Sequence, residues 1–254
     1  MKCVSLGKGS YAKVYRLMFN KDQTVVIKVL RKCGISEGIP QCLSKVAFDK
    51  GAAIIFADSV SRPLDRILYH DKSSINFRSV FKQVFRTLHA CVQKCNVFHC
   101  DIKPNNVVVY ADMKCTVIDW GGAYLAPAIH KPSVSDPAAV RTTMAYSSTE
   151  VVAIYCGSRK TSYNPELLMT WTLGVFLYEL YFRKILFQRP KEDLLPSGIV
   201  GASKETIRKL ESKITKAVYS APVDVAELIW LCLAPLPEDR CRLVDIEAYL
   251  VKAG

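Results

Sequence analysis

Two short runs, residues 98–106 and 117–121, constrain the fold and the chemistry of this chain more than any other feature of its sequence. The first reads F-H-C-D-I-K-P-N-N and the second reads V-I-D-W-G. Asp101 is followed by Lys103 and Asn106, and an apolar, strand-like run then separates them from Asp119. This spacing is typical of phosphoryl transfer, which needs one carboxylate for the incoming hydroxyl, and an amide and a second carboxylate for a metal ion on the nucleotide.

The composition is that of a folded chain with a substantial core. The 254 residues are 50% hydrophobic and 23% charged, which suits one large domain or two small lobes. The longest apolar run, residues 171–182, is too short for a membrane span and contains Glu179. We expect no signal peptide, and we expect the ten cysteines to be free thiols. Together these features predict an intracellular protein, cytoplasmic or nuclear.

The charge balance is strongly basic. The chain has 35 Lys and Arg against 23 Asp and Glu, a formal net charge of +12. An excess of this size favours acidic partners, such as a nucleotide, an acidic protein surface or a nucleic-acid-associated protein. A solvated basic surface explains the same number equally well, and the sequence does not indicate an oligomeric state.

The hydrophobic pattern changes along the chain. Residues 1–60 carry short β-like runs punctuated by Gly, Asn and Asp, as in an antiparallel sheet; the runs are 3–6, 14–17, 25–29, 46–48 and 53–56. Residues 61–74 are mixed and charged and are interpreted as a hinge or crossover. Residues 75–254 are mainly helical by periodicity, with helices expected over 77–95, 167–181 and 203–218. The pattern predicts an α+β fold of two lobes, a small antiparallel β lobe followed by a larger helical one.

The stretch from His99 to Asn106 resembles the catalytic loop of the eukaryotic protein kinase superfamily, and its Lys103 resembles the Ser/Thr type. The resemblance implies that Asp101 is the catalytic base and that Lys103 neutralises charge on the transferring phosphate. It also implies that Asn106 and Asp119 bind Mg²⁺.

The first sixty residues extend this resemblance. Residues 6–14 are similar to the glycine-rich nucleotide loop, and Val25-Val26-Ile27-Lys28 is similar to the V-A-I-K strand. The resemblance implies that Lys28 holds phosphates of ATP and pairs with a glutamate, for which Glu37 is the candidate and Asp49 the alternative. The implied nucleotide-binding residues are Leu6, Gly7, Lys8, Gly9, Ser10, Val14, Val26, Lys28 and Val108.

Later motifs carry the resemblance to residue 250. Glu150 stands where the family has the glutamate of A-P-E, and Arg240 stands where its buried partner is expected, so a structural ion pair is implied. Four positions depart from the family pattern: Ala12 replaces a glycine, Cys100 an arginine, Trp120 a phenylalanine and Met169 an aspartate. The spacing of Cys91, Cys95 and His99 also fits a metal site, although it equally fits the apolar stripe of a helix.

The resemblance implies a single protein kinase-like domain over residues 1–254. It implies an ATP- and Mg²⁺-dependent Ser/Thr protein kinase that acts on protein substrates. The compact first lobe and the departures are similar to those of kinases from large DNA viruses, in which case the host cell would be the site of action. Two alternatives stay open: a pseudokinase that serves as a binding scaffold, and a small-molecule phosphotransferase of the aminoglycoside or choline kinase type.

Overall fold

The chain divides into two compact units. In the computed structural model, the first unit comprises residues 1–66 and 105–121, and the second comprises 67–104 and 122–254. The structure describes residues 61–71, 75–126, 142–157, 162–194 and 203–252, and it describes the backbone of residues 2–8, 12–18, 24–31, 42–48 and 51–57. No helix among these residues is long and apolar enough to cross a membrane.

The first unit is built around a five-stranded antiparallel sheet in the order β1-β2-β3-β5-β4. Its strands are β1 (Lys2–Lys8), β2 (Ala12–Met18), β3 (Thr24–Arg31), β4 (Cys42–Phe48) and β5 (Gly51–Ala57). Each of the five predicted β-like runs lies inside one of these strands. The alternation of β-branched residues with short polar breaks explains why the prediction worked, because such residues suit a pleated backbone.

A second, three-stranded sheet in this unit has the order β6-β8-β9. It consists of β6 (Ser61–Pro63), β8 (Val107–Tyr110) and β9 (Cys115–Val117). Pro63 pairs with Val108, and Val107 pairs with Val117. The β8–β9 hairpin therefore lies between residues 98–106 and 117–121, the two runs that the sequence singles out.

The second unit is mainly helical. It contains α2 (Phe77–Cys95), α3 (Thr149–Tyr155), α4 (Pro165–Phe182), α5 (Pro190–Leu194), α6 (Lys204–Val218), α7 (Val223–Cys232) and α8 (Leu243–Lys252), with a small β7 (Val97–Phe98) and β10 (Tyr124–Leu125) pair. The predicted α+β fold, a small antiparallel sheet part followed by a mainly helical part, is confirmed. The three predicted helices correspond to α2, α4 and α6.

Helix α4 forms the core of the second unit, and almost all of its side chains are buried. Gly174 lies in its middle and permits a close approach to α7, since a Cβ built on Gly174 would come within 2.6 Å of the Cys232 Cβ. Asn164 caps the helix by accepting a hydrogen bond from the Glu166 N–H at 2.8 Å. A helix apolar on all sides is expected to be central, as the sequence indicated.

Residues 61–71, the described part of the expected hinge, contain more regular structure than a hinge would. After β6, the seven-residue helix α1 (Leu64–His70) begins directly behind Pro63. Leu64, Ile67 and Leu68 are buried, and they recur at helical spacing. Two turns are too short for periodicity to show against charged neighbours, which explains why the sequence did not indicate this helix.

Candidate active site

The segment that carries Asp101 is held by the β7–β10 pair. Helix α2 ends at Asn96, which has a left-handed backbone (φ 53°) and donates its N–H to the carbonyls of Cys91 and Val92. The chain then enters β7, where Phe98 pairs with Tyr124. His99 is completely buried directly after this strand. The local fold therefore presents residues 101–103 from a short, anchored loop.

Asp101 and Lys103 form an ion pair, with the Lys103 Nζ 2.8 Å from the Asp101 Oδ2. Their side chains are 18% and 20% exposed, so both are shielded but still reachable. A carboxylate in this setting can accept a proton from a hydroxyl, while the ammonium stabilises negative charge that develops nearby. The structure thus brings together the two residues predicted to be catalytic.

Thr143 completes this cluster and was not among the predicted site residues. Its backbone N–H donates to the Asp101 Oδ1 at 2.7 Å, and its hydroxyl contacts the Lys103 Nζ. The contact joins positions about 40 residues apart, with no local pattern to signal it.

Cys100 has two unusual properties. Its φ is 61°, a left-handed conformation that is uncommon for a residue with a side chain. Burial raises the pKa of its thiol to about 12, and the neighbouring Asp101 charge acts in the same direction, against a backbone hydrogen bond with Tyr124 that lowers it. The thiol is therefore neutral at physiological pH, and it supplies no positive charge next to the catalytic pair.

The two predicted metal ligands belong to the first unit and emerge at the same end of the β8–β9 hairpin. Asn106 directly precedes β8, Asp119 follows β9, and the Ile118 N–H donates to the Asn106 carbonyl at 2.8 Å. Asn106 is buried, whereas Asp119 is exposed with a φ of 62°. An amide oxygen and a carboxylate are hard oxygen donors, which fit Mg²⁺. The Asn106 amide oxygen and the Asp119 carboxylate therefore suit the predicted Mg²⁺ ion.

Trp120, in the place of the family's phenylalanine, is buried beside this hairpin. It is 5% exposed, and its indole N–H donates to the Val117 carbonyl at 3.1 Å. The larger ring is accommodated because its one polar atom finds a backbone acceptor.

The predicted nucleotide-binding residues lie on strands of the first unit. Val14 on β2 is the cross-strand partner of Lys28 on β3. The pairing of β1 with β2 is irregular between Ser5 and Gly7. The strand positions are Leu6, Gly7 and Lys8 on β1, Val14 on β2, Val26 and Lys28 on β3 and Val108 on β8. Gly9, Ser10, Glu37 and Asp49 lie outside the described residues, so the Lys28 ion pair stays a prediction.

The predicted structural pair is present in the second unit. Arg240 Nη1 lies 2.9 Å from Glu150 Oε1, and Nη2 lies 3.2 Å from Oε2. Burial alone would raise the pKa of Glu150, but the charge and hydrogen bonds of Arg240 lower it overall. The guanidinium also lies 4.9 Å from the centre of the Trp171 ring. This pair connects the start of α3 to the segment before α8.

A buried carboxylate in α4 was not recognised as a site residue. Glu179 is 1% exposed and accepts hydrogen bonds from the phenols of Tyr69 and Tyr146. Burial and the Glu179 charge raise the pKa of Tyr146, which keeps its phenol a neutral hydrogen-bond donor to the carboxylate. The only sequence signal was a glutamate in an apolar helix. Glu179 thereby ties α1 and the 144–146 turn to α4.

The alternative metal site on α2 is not supported. Cys91 and His99 are buried while Cys95 is exposed. Within the described part of the chain, no group of three or more His, Cys, Asp or Glu residues could hold a metal ion. Cys91 therefore belongs to the buried stripe of the helix, whereas Cys95 is exposed and His99 lies beyond the helix end.

Comparison with known proteins gives consistent matches. The family described as "Protein kinase domain" matches residues 42–249. Sperm motility kinase 2A of Mus musculus is 26% identical over 184 residues, covering 66% of this chain and 29% of that protein. Serine/threonine-protein kinase prk-2 of Caenorhabditis elegans is 25% identical over 278 residues, covering 95% and 55%. CBL-interacting protein kinase 28 of Oryza sativa subsp. japonica is 24% identical over 268 residues, covering 95% and 56%. The chain thus spans between about a third and about half the length of these relatives.

Proposed function

The chain belongs to the protein kinase domain family, and on that premise we propose that it transfers the γ-phosphate of ATP to serine or threonine hydroxyls of proteins. The observation that carries the proposal is the cluster of Asp101, Lys103 and Thr143. A base that must accept a hydroxyl proton needs a fixed orientation, and Asp101 accepts one hydrogen bond on each carboxylate oxygen. This leaves the carboxylate oriented and partly exposed for a substrate.

Each member of the cluster has a distinct proposed role. Asp101 orients the substrate hydroxyl and takes its proton as the bond to phosphorus forms. Lys103, whose Nζ donates to the Asp101 Oδ2, offsets the negative charge on the transferred phosphoryl group. Thr143 fixes both side chains and links them to the segment that precedes α3. The Ser/Thr preference rests on Lys103, and the name of one relative, serine/threonine-protein kinase prk-2, includes the same term.

We propose that residues of the first unit bind the nucleotide and the metal ion. Lys28, together with the β1 and β2 residues, would hold the phosphates of ATP. Asn106 and Asp119 would hold Mg²⁺, whose charge neutralises the phosphate oxygens when it is bound. The proposal is supported by the register of Val14 with Lys28 and by the emergence of Asn106 and Asp119 at one end of a hairpin.

The substrates are proposed to be proteins inside a cell. The net charge of +12 favours acidic or nucleic-acid-associated partners. A viral origin rests only on the resemblance noted in the sequence. The preference for acidic substrates can be tested by comparing transfer rates to acidic and basic acceptor proteins at several salt concentrations. Salt should reduce any preference that depends on exposed charges, because it screens their attraction.

The decisive experiment is a radiolabelled ATP assay on the purified protein with protein acceptors and with an aminoglycoside. We expect label in protein, dependence on Mg²⁺, and loss of transfer by orders of magnitude in Asp101→Asn and Asp119→Asn with the fold intact.

Asp112→Asn is the matched control, since Asp112 is an exposed carboxylate paired with Lys114 in the β8–β9 connection. Near-normal turnover in either site variant would contradict the mechanism. ATP binding without transfer would identify a binding scaffold. Label found only in the aminoglycoside would identify a small-molecule phosphotransferase.

A further inference from the structure

Two cysteines outside the candidate active site are in direct contact. The sulfur atoms of Cys232 and Cys241 are 3.8 Å apart, and the two side chains are 0% and 9% exposed. Cys232 is the last residue of α7, and Cys241 directly follows Arg240. Both are free thiols in this structure.

The backbones are also positioned for a covalent link. The Cys241 N–H donates to the Leu231 carbonyl at 3.2 Å, which places residue 241 beside the peptide bond that leads into Cys232. A disulfide requires α-carbons within about 7 Å of each other and a sulfur–sulfur bond of about 2.05 Å. The hydrogen bond between the two backbones brings the α-carbons close to this range, and the sulfur atoms, now 3.8 Å apart, must approach by less than 2 Å to form the bond.

The ten-residue segment from Cys232 to Cys241 is part of the ion-pair region. The Arg240 Nε donates to the Ala234 carbonyl at 3.3 Å, and the Thr149 hydroxyl donates to the Pro235 carbonyl at 3.0 Å. A bond between the two sulfurs would close this segment into a ring that holds both carbonyls. The segment that positions Arg240 and the start of α3 would then be cross-linked to itself.

We propose that Cys232 and Cys241 are a reversible oxidation site, at which hydrogen peroxide converts the two thiols into an intramolecular disulfide. Cys241 is the more exposed and reacts first. Its thiolate sulfur attacks one peroxide oxygen, the O–O bond breaks, a sulfenic acid forms, and the hydroxide leaves with the thiol proton as water.

The sulfur of Cys232 then attacks the sulfenic sulfur of Cys241. The S–O bond breaks, and the hydroxyl leaves with the Cys232 proton as a second water, so two thiols and one peroxide become one disulfide and two waters. A hydrogen bond with Cys241 and burial both raise the pKa of Cys232, which makes it the resolving thiol rather than the first nucleophile. A small oxidant suits the site, because neither sulfur is open to a bulky disulfide reagent.

The test treats the native full chain with hydrogen peroxide, blocks the remaining thiols with iodoacetamide, and digests the protein with trypsin without a reductant. Trypsin cleaves after Lys216, Arg240 and Arg242, so the link joins peptide 217–240 to dipeptide 241–242. We expect this linked pair to be the main cysteine–cysteine product and to disappear after dithiothreitol. It should be absent from Cys241→Ala and unchanged in Cys156→Ser, which removes an exposed thiol.

The exposed Cys156 also serves as an internal standard for oxidant dose. The proposal is overturned if Cys156 becomes oxidised in the wild type while no linked pair appears, or if Cys241 accumulates as sulfinic acid instead. It is also overturned if denaturing urea leaves the yield and selectivity of the link unchanged, because the folded contact would then play no part. The measurement is made on the wild type, so it does not depend on the folding of the alanine variant.

Discussion

Arg240 binds Glu150 through two parallel contacts, of 2.9 and 3.2 Å, with both side chains almost entirely excluded from solvent. The same guanidinium donates to the carbonyls of Leu167 and Ala234 and packs on the Trp171 ring. A buried charge with this many partners cannot be removed singly without leaving its neighbours unsatisfied. Removing one partner of the pair is therefore expected to destabilise this part of the second unit.

We expect Arg240→Met to lower the free energy of unfolding by about 3–5 kcal/mol, because it leaves the Glu150 carboxylate buried and uncompensated. Urea denaturation measures the loss. The double variant Glu150→Gln/Arg240→Met should recover part of it. Glu205→Gln is the control, since its partner Lys209 lies on the surface of α6 and the midpoint should not move. A loss in the double variant equal to the sum of the losses in Glu150→Gln and Arg240→Met would show that the two side chains do not depend on each other.

The same pair predicts a pH dependence of stability. The folded-state pKa of Glu150 lies below its ordinary value of 4.5. Its contribution is therefore fully present above pH 4.5 and is lost as pH falls through the lowered folded value. Urea midpoints of the wild type should fall over this acidic range, and Glu150→Gln should show a smaller fall. Parallel curves for the two proteins would contradict the assignment.

Substitutions of Thr143 can test the contact of its hydroxyl with Lys103 without removing the hydrogen bond from its backbone N–H to Asp101. Thr143→Ala removes the contact to Lys103 and should reduce the transfer rate by about ten- to a hundredfold, the value of a hydrogen bond to a charged group. Thr143→Ser should retain most of the activity. Thr142→Ala is the matched control, because the Thr142 hydroxyl has no hydrogen-bond partner among the described residues. A rate for Thr143→Ala equal to that of the control would remove Thr143 from the cluster.

Lys28 should be essential for transfer but not for folding. Lys28→Met should abolish phosphoryl transfer and weaken ATP binding modestly, because Mg²⁺ and the β1–β2 region would still hold the phosphates. Glu37→Gln should reduce the rate strongly and Asp49→Asn should not. This order of effects follows if Glu37 is the partner of Lys28. The reverse order of effects would assign the ion pair to Asp49.

The protein should be active without phosphorylation of residues 119–150. An arginine before the catalytic aspartate can bind a phosphate on this segment, but Cys100 is buried and neutral and cannot. The test is to treat the protein with phosphatase, confirm by mass spectrometry that Ser133, Ser135, Thr142 and Thr143 are unmodified, and measure the rate. A drop of about a hundredfold, or about 2.7 kcal/mol in the barrier, would contradict this prediction.

Local chemistry accounts for what could be predicted from the sequence. The strands of the first unit and helices α2, α4 and α6 follow from periodicities of two and about 3.6 residues, which are properties of neighbouring residues. Asp101 and Lys103 were recognisable because they are only two residues apart in the sequence, so a local pattern contains both. Helix α1 was missed because seven residues beside a proline contain too little periodicity.

Contacts between distant positions were decided by the tertiary structure. Thr143 meets Asp101, the phenols of Tyr69 and Tyr146 meet Glu179, and the sulfur of Cys232 meets that of Cys241. The residues involved are ordinary for their segments, and their proximity depends on how α1, α4, α7 and the 142–148 segment pack. A sequence pattern carries the chemistry of each side chain and the period of its own element. Which side chains share a hydrogen bond depends on packing between elements, where one buried partner replaces the water that each polar group would otherwise bind.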